Sequence, residues 1–462
     1  MFEHENERVE LVKKIEDLVT RKRYTELRGL LDAMEAADIA LVLEDLSEEN
    51  MPLVFRLLPK EPAAEVFVEL DSDEQELLIR GFSNTELREV LDELYLDDAV
   101  DLVEEMPANV VKRILKHADP ETRKSINDIL KYPEDSAGSI MTTEFVDLKQ
   151  DMTVADAFKR IRETGPDKET INIGYVIDEW RHLIGLVSIR TLLLTGQDAV
   201  IGDIMEKNII SVQTLDDQEL VASSLSKYDF LALPVVDTEN RLVGIVTVDD
   251  AIDVLQDEAT EDIEKMAAIV PTDKPYLKTS AFAMFKARIP WLLLLMISAT
   301  FTGQIISRFE NALAAVTILT AYIPMLMDTG GNAGSQSAVT VIRGISLNEI
   351  EFRDTFKVLW KEIEISVMCG IVLAAANFAK LMLVDRMLFH NSAVTPIVAA
   401  VVCLTIIVTV FTSKLVGAAL PLLAEKIGWD PAVMASPLIT TIVDAVSLII
   451  YFTFATHLLH IG

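Results

Sequence analysis

Cysteine is almost absent from this chain. Only Cys369 and Cys403 occur in 462 residues, both within apolar runs, so no disulfide framework holds the fold together. No His-Glu-x-x-His run, no Cys-x-x-Cys pair and no Gly-Lys-Ser/Thr phosphate loop is present, and the chain is read as a non-enzyme. The N-terminal MFEHENERVE is charged, not apolar, so no signal peptide is expected. Positive charge is scarce: 41 Lys and Arg stand against 73 Asp and Glu, a net charge of −32. Residues 281–462 hold 11 of each sign, leaving 30 basic and 62 acidic residues in 1–280. The whole deficit therefore sits in the first 280 residues. That part repels nucleic acid and attracts cations.

What the second part has instead is long apolar runs. They cover 289–307, 312–327, 363–384, 395–423 and 432–459. About 20 helical residues cross the hydrocarbon core of a bilayer. Five membrane spans are therefore expected, in contact with lipid. Lys278, Lys286 and Arg288 precede the first run, and Arg343, Arg353, Lys357 and Lys361 follow the second. The opposite loops offer Arg308 and Arg386. The bias puts the N-terminus in the cytoplasm and, with an odd number of spans, the C-terminus outside.

The acidic part reads as two pieces. Residues 1–135 are a helical N domain of short amphipathic units, among them Ala36–Leu46, Thr85–Leu94 and Asp97–Met106, broken at Leu58-Pro59 and Met106-Pro107. Helices this short should stack as an α-solenoid, with a plain bundle as the alternative. Residues 136–255 repeat internally. Met141 aligns with Met205, 64 residues on, and Gly185 with Gly244, 59 residues on, so an insertion is expected near Gly165–Thr170. Each unit reads as an α/β strand–helix–strand–turn–strand–helix. The run LPVVDTENRLVGIVTVDDAI resembles a CBS domain, giving a tandem CBS pair at 136–200 and 201–255. Such pairs regulate and often bind adenine nucleotides. The resemblance implies a ribose contact at Thr247 and Asp250 and a possible ATP ligand, while the first unit has Ser188 but Thr191 in place of the acid.

A connecting helix is expected over 256–280, and the acidic run feeding it begins at Asp249. Asp250, Asp253, Asp257, Glu261 and Glu264 form one helical stripe with Lys265 as the nearby cation. Either the stripe is a solvated face, or divalent cations bridge it to other acidic surfaces. In the last span, Asp444 is the deep ionisable group, and Ser436, Thr440, Ser447 and Tyr451 share its face. A carboxylate at that depth costs about 2.5–3.5 kcal/mol on insertion scales, so it marks an ion pathway unless it is paired, here with Lys414. A homodimer with facing Asp444 side chains would supply the two carboxylates that suit Mg²⁺. The second span ends in GGNAG, with Asn332 and Gln336 one turn apart and Asp328 a turn earlier. Its glycines serve either irregular pore backbone or close helix packing.

Over nearly its full length the chain resembles the MgtE-type magnesium channels. ARIPWLL at 287–293, GGNAGSQ at 330–336, QDEATEDI at 256–263 and SPLITTIVD ending at Asp444 carry the resemblance. Ser447 departs from it, since such proteins usually have Gly there. The resemblance implies a homodimeric channel passing Mg²⁺ inward, with a pore domain of five helices at 281–462. Asp444 would bind the ion, Thr440 would line the path and Asn332 would shape the wall. Cytoplasmic Mg²⁺ bound between N domain, CBS pair and connecting helix would hold the pore closed. The implied sensor residues are Asp249, Asp250, Asp253, Asp257, Glu258, Glu261 and Asp262, facing Asp92, Glu93, Asp97 and Asp98 of the N domain. A coupled divalent-cation exporter and a non-conducting metal or nucleotide sensor are the alternatives.

Overall fold

The computed structural model describes residues 5–272, 274, 276–434 and 436–460. It divides into two compact units, Met1–Leu255 and Gln256–Gly462, taken here one at a time.

The first unit opens with ten short helices: α1 (Glu5–Thr20), α2 (Tyr24–Leu31), α3 (Ala36–Glu44), α4 (Met51–Phe55), α5 (Lys60–Val68), α6 (Ser72–Gly81), α7 (Asn84–Leu91), α8 (Leu96–Glu105), α9 (Ala108–His117) and α10 (Pro120–Ile129). Local signals set their ends. Pro59 and Pro107 sit in extended backbone immediately before α5 and α9, where a missing N–H costs nothing. Ser83 and Glu86 close a capping box on α7, and Asp119 caps α10 with its carboxylate. Alternate helices pack on one another, α3 on α5, α5 on α7 and α7 on α9. One continuous core runs from Ile15 to Ile129, with Phe55, Phe67 and Phe82 in mutual ring contact at its centre.

The repeat that follows contains β1 (Val146–Lys149), α11 (Val154–Thr164), β2 (Ile173–Ile177), β3 (Leu183–Ser188), α12 (Ile189–Leu194) and α13 (Ile201–Ile204), then β4 (Val212–Gln213), α14 (Gln218–Tyr228), β5 (Ala232–Val236) and β6 (Leu242–Thr247). Each half is a three-stranded sheet, ordered β1-β2-β3 or β4-β5-β6, with one parallel and one antiparallel pairing. The two sheets bulge at equivalent places, Val176/Ile177 and Val235/Val236. The halves also exchange their leading segments. Thr142 pairs with Ile245 on β6, while Glu206 pairs with Leu186 on β3. A Cβ on Gly244 would meet Met141 Sδ at 2.6 Å, and one on Gly185 would meet Met205 Sδ at 2.4 Å. The two aligned methionines and two aligned glycines of the sequence repeat thus pack crosswise, each glycine seating the other half's methionine.

From Thr247 the chain enters α15 (Val248–Met266) without a break. Its first turns belong to the core of the second half, through Ala251 and Val254. The connecting helix expected over 256–280 therefore starts earlier, because these apolar residues anchor it, and it ends at Met266.

The second unit comprises α16 (Ala281–Arg308), α17 (Glu310–Ala315), α18 (Ile323–Ser346), α19 (Thr355–Lys380), α20 (Pro396–Ile427) and α21 (Ser436–Leu458). Among the described residues four helical segments are long and apolar enough to cross a membrane: Ala281–Arg308, Phe352–Leu388, Pro396–Ile427 and Pro431–Leu458. The run expected as a second span at 312–327 instead holds α17 and a 3₁₀ turn, Thr317–Tyr322. The long helix there is α18, whose polar and glycine content lowers its hydropathy. It stays unbroken through the glycines because they seat its neighbours. A Cβ on Gly330 would press on Thr409 at 2.7 Å and Ser447 at 2.8 Å, and one on Gly417 of α20 would lie 2.2 Å from the Gly334 carbonyl oxygen. Close packing through small residues is what these glycines do.

Candidate functional site: acidic cluster and polar membrane helices

The first candidate site lies where α8 meets the start of α15. Tyr95 precedes α8, so Asp97 and Asp98 stand in its first turn and Asp101 one turn on. Thr247 ends β6 and donates its hydroxyl to the Asp250 carboxylate, which turns Asp250 toward α8. Asp249 joins from the same turn. Two further acids arrive from the first repeat half: Glu144 follows the crossing segment at Thr142, and Glu169 sits in the insertion after Gly165.

These groups repel one another strongly. Burial, then the Asp250 and Asp249 charges, push Asp98 up to about 7. Burial, then Asp98, Asp249 and Asp250, push Glu169 up to about 8. Burial raises Asp250 to about 6 despite the Thr247 hydrogen bond. Asp97, only 5 % exposed, is raised by burial and by Asp250. Burial raises Glu144 against the pull of Lys168, and it raises Asp253 with help from Asp249. Asp101 is raised as well, though its side chain keeps more contact with water. One oxygen of Glu144 and one of Glu169 are buried without a hydrogen-bond partner. A dense set of carboxylates with orphaned oxygens and pKa values raised by burial takes up either protons or a hard divalent cation.

The other expected sensor residues are distributed differently. Asp92 pairs with Arg88 at 3.4 Å, and both Asp92 and Glu93 are exposed beside Lys60, apart from the cluster. The acidic stripe on α15 is not one surface. Glu261 bonds Lys265 at 2.6 Å, and Lys265 also bonds Asp430 at 2.6 Å. Asp262 accepts from Ser346 at 2.9 Å, and Glu264 accepts from the Thr272 N–H at 3.0 Å. The far half of α15, which belongs to the second unit, is thus held to the end of α18 and to loops of that same unit. Asp257 and Glu258 lie on the middle of α15. Among the described residues, Glu44, Asp71 and Glu74 of the N domain are the one trio of carboxylates with oxygens within 4.8 Å of one another. The acids around Asp98 and Asp250 are spaced more widely, a spacing that suits an ion retaining its waters.

The second candidate site is in the second unit. Asp444 sits half-buried on α21, and its Oδ1 is buried without a hydrogen-bond partner. The pairing of Asp444 with Lys414 does not form: Lys414 is taken by Ser337 at 3.2 Å and Glu362 at 3.8 Å. The charged neighbour of Asp444 is instead Asp328 of α18. The polar stripe of α21 is also shorter than its helical spacing suggests. Ser447 is buried against Gly330, and Tyr451 is buried with its hydroxyl donating to the Leu319 carbonyl at 3.0 Å. Both serve packing; the side chain of Ser436 lies outside the described residues. Thr440 stands against Gly331 of α18, beside Asn332. Asn332, Ser335, Gln336, Val339 and Thr340 line an open groove of about 560 Å³ along α18. Exposed amides and hydroxyls on a helix packed among long apolar helices call for water or another polar surface opposite.

An acidic first unit with a CBS-like repeat, together with a second unit of long apolar helices that hold carboxylates, defines a class: divalent-cation transporters with CBS domains. The Divalent cation transporter family matches residues 323–454, the MgtE intracellular N domain family residues 34–135, and the CBS domain family residues 137–196 and 201–257. The magnesium transporter MgtE of Thermus thermophilus is 38% identical over 94% of this chain and 95% of that protein. The magnesium transporter MgtE of Bacillus subtilis is 33% identical over 98% of both. The chain belongs to the MgtE family, whose members are multi-pass membrane transporters and not enzymes. Among solved structures, the cytosolic domain of the Mg²⁺ channel MgtE in complex with ATP matches 53% of this chain and 99% of that one, at 37% identity and TM-score 0.50. The soluble part of a magnesium transporter matches 55% of this chain and 99% of that one, at 33% identity and TM-score 0.51.

Proposed function

We propose that the protein is a Mg²⁺-selective channel for magnesium influx, closed when cytoplasmic Mg²⁺ occupies the acidic cluster. The observation that carries the reading is the set Asp97, Asp98, Asp101, Glu144, Glu169 and Asp250, whose pKa values are raised by burial and, in most of them, by neighbouring carboxylates, with the Asp249 charge beside them at the root of α15. A cation there removes repulsion and holds α8 against α15; its loss lets them part. Since α15 is one helix from Val248 to Met266, its far end carries Lys265 and Asp262, bonded to Asp430 and Ser346, which flank the ends of α21 and α18. In this reading α15 carries the signal from the acidic cluster toward the pore.

In this reading α18 is the fifth crossing, the N-terminus is cytoplasmic and the C-terminus lies outside. Two copies face each other through the Asn332–Thr340 groove, and α16 meets lipid. Each copy contributes Asp444, with Thr440 and Asn332 lining the path, and the hydrated cation sits between the two carboxylates. ATP is proposed as a ligand of the CBS pair, supported by the relative solved with it. A nucleotide using Thr247 and Asp250 would draw on the same carboxylate as the cation. The test is Mg²⁺ uptake into proteoliposomes with no proton or Na⁺ gradient. Uptake driven by the Mg²⁺ gradient and voltage alone is expected; uptake that needs a coupling ion gives the exporter, and none at all gives the sensor.

A further inference from the structure

The membrane domain contains a buried cation that the proposed pathway does not use. Lys414 of α20 is 5 % exposed, a burial that is costly for an ammonium unless it is neutralised. Its Nζ donates to Ser337 Oγ of α18 at 3.2 Å and lies 3.8 Å from Glu362 Oε2 of α19. Ser337 in turn donates to the same Glu362 oxygen at 2.6 Å. Both Ser337 and Glu362 are buried. The three side chains thus join three helices around one compensated charge.

Their place on α18 gives the pair its consequence. Ser337 follows Gln336 directly, and Gln336 lines the exposed polar groove with Asn332 and Thr340. Ser337 is buried while Asn332, Gln336 and Thr340 are exposed, so the triad and the groove use different faces of the same helix, a separation on the order of one helix diameter, about 10 Å. Across protein of low dielectric, a bare positive charge at that distance acts strongly on an ion carrying two charges.

We propose that Glu362 is a positioning residue for conduction: it cancels the Lys414 charge so that the α18 wall presents no net repulsion to a divalent cation. This rests on the conduction reading above. It differs from a purely structural role because the fault in a Glu362 variant is the surviving lysine, and removing that lysine cures it.

The experiment compares Mg²⁺ flux through wild type, Glu362→Gln and Glu362→Gln/Lys414→Met in proteoliposomes. Each protein is matched for monodisperse elution. The expected result is a fall of about tenfold in Glu362→Gln, the low end of local-charge effects on ion concentration, and recovery to within about twofold in the double variant. Wild-type flux in Glu362→Gln, or a double variant as poor as the single, overturns the proposal. If Glu362→Gln does not fold, Glu362→Asp replaces it: near-normal flux is expected, and a tenfold loss overturns the idea. A wild type that passes no Mg²⁺ overturns the conduction reading instead, so the two failures are distinct.

Discussion

Replacing Asp98 with Asn removes one charge from the middle of the acidic cluster. In the folded head its pKa is about 7 against an ordinary 3.8. A folded-state pKa above the unfolded one means that the native state holds the proton more tightly. Stability from this group is therefore full below about pH 4 and declines as pH rises through 7. At pH 8 the ionised carboxylate costs about 4 kcal/mol, from roughly three pKa units at about 1.4 kcal/mol each. The amide still gives up water on burial, and its neighbours repel one another less once it is neutral. About half the cost, about 2 kcal/mol, should then appear as a gain. Hydrogen exchange of the cation-free full chain at pH 8 reads this directly. Protection over 97–101 and 249–253 should rise by about thirtyfold in Asp98→Asn. The increment that Mg²⁺ adds to wild-type protection should shrink in the variant. In wild type that increment should be larger at pH 8 than at pH 6, because protons compete for the same oxygens. Lower protection in the cation-free variant, or an unchanged Mg²⁺ increment, would refute the reasoning.

Asp444→Ala should abolish Mg²⁺ uptake while gel filtration still shows a folded dimer; uptake at the wild-type rate would remove Asp444 from the pathway. Gly417→Ala forces a methyl to within 2.2 Å of the Gly334 carbonyl and should cost about 1–3 kcal/mol in membrane-domain stability, read as a lower melting midpoint in detergent. Lys265→Met frees Glu261 and Asp430 together and should shift the Mg²⁺ dependence of closure without changing the maximal flux, as measured by dose–response in vesicles.

The sequence carried the architecture clearly because its signals are local and repeated. Prolines 59 and 107 stand immediately before short helices, the strand pattern of 173–177 and 183–188 returns at 232–236 and 242–247, and four of the five apolar runs mark long helices. What it concealed was long-range. That Met141 seats in Gly244 and Met205 in Gly185 is invisible to an alignment that treats the repeats as separate blocks. Glu144 and Glu169 join the acidic cluster only through that crossing and the insertion, although the insertion itself was readable. Asp92 and Glu93 are as acidic as Asp97 and Asp98, but they lie before the turn at Tyr95 and point elsewhere. The α15 stripe looked uniform because helical periodicity says which residues share a face, not what each part of the face meets. Lys414 lay within reach of Asp444 by depth, yet it pairs with Glu362, a residue no hydropathy argument singles out.

The central claim is that cytoplasmic Mg²⁺ closes the pore through the acidic cluster. Inside-out patches holding wild type and the Asp98→Asn/Asp250→Asn variant test it most directly, with Mg²⁺ titrated on the cytoplasmic face. Wild-type current should fall as Mg²⁺ rises, and the variant should need markedly more Mg²⁺ to close or should stop responding. Identical inhibition curves for the two would contradict the account.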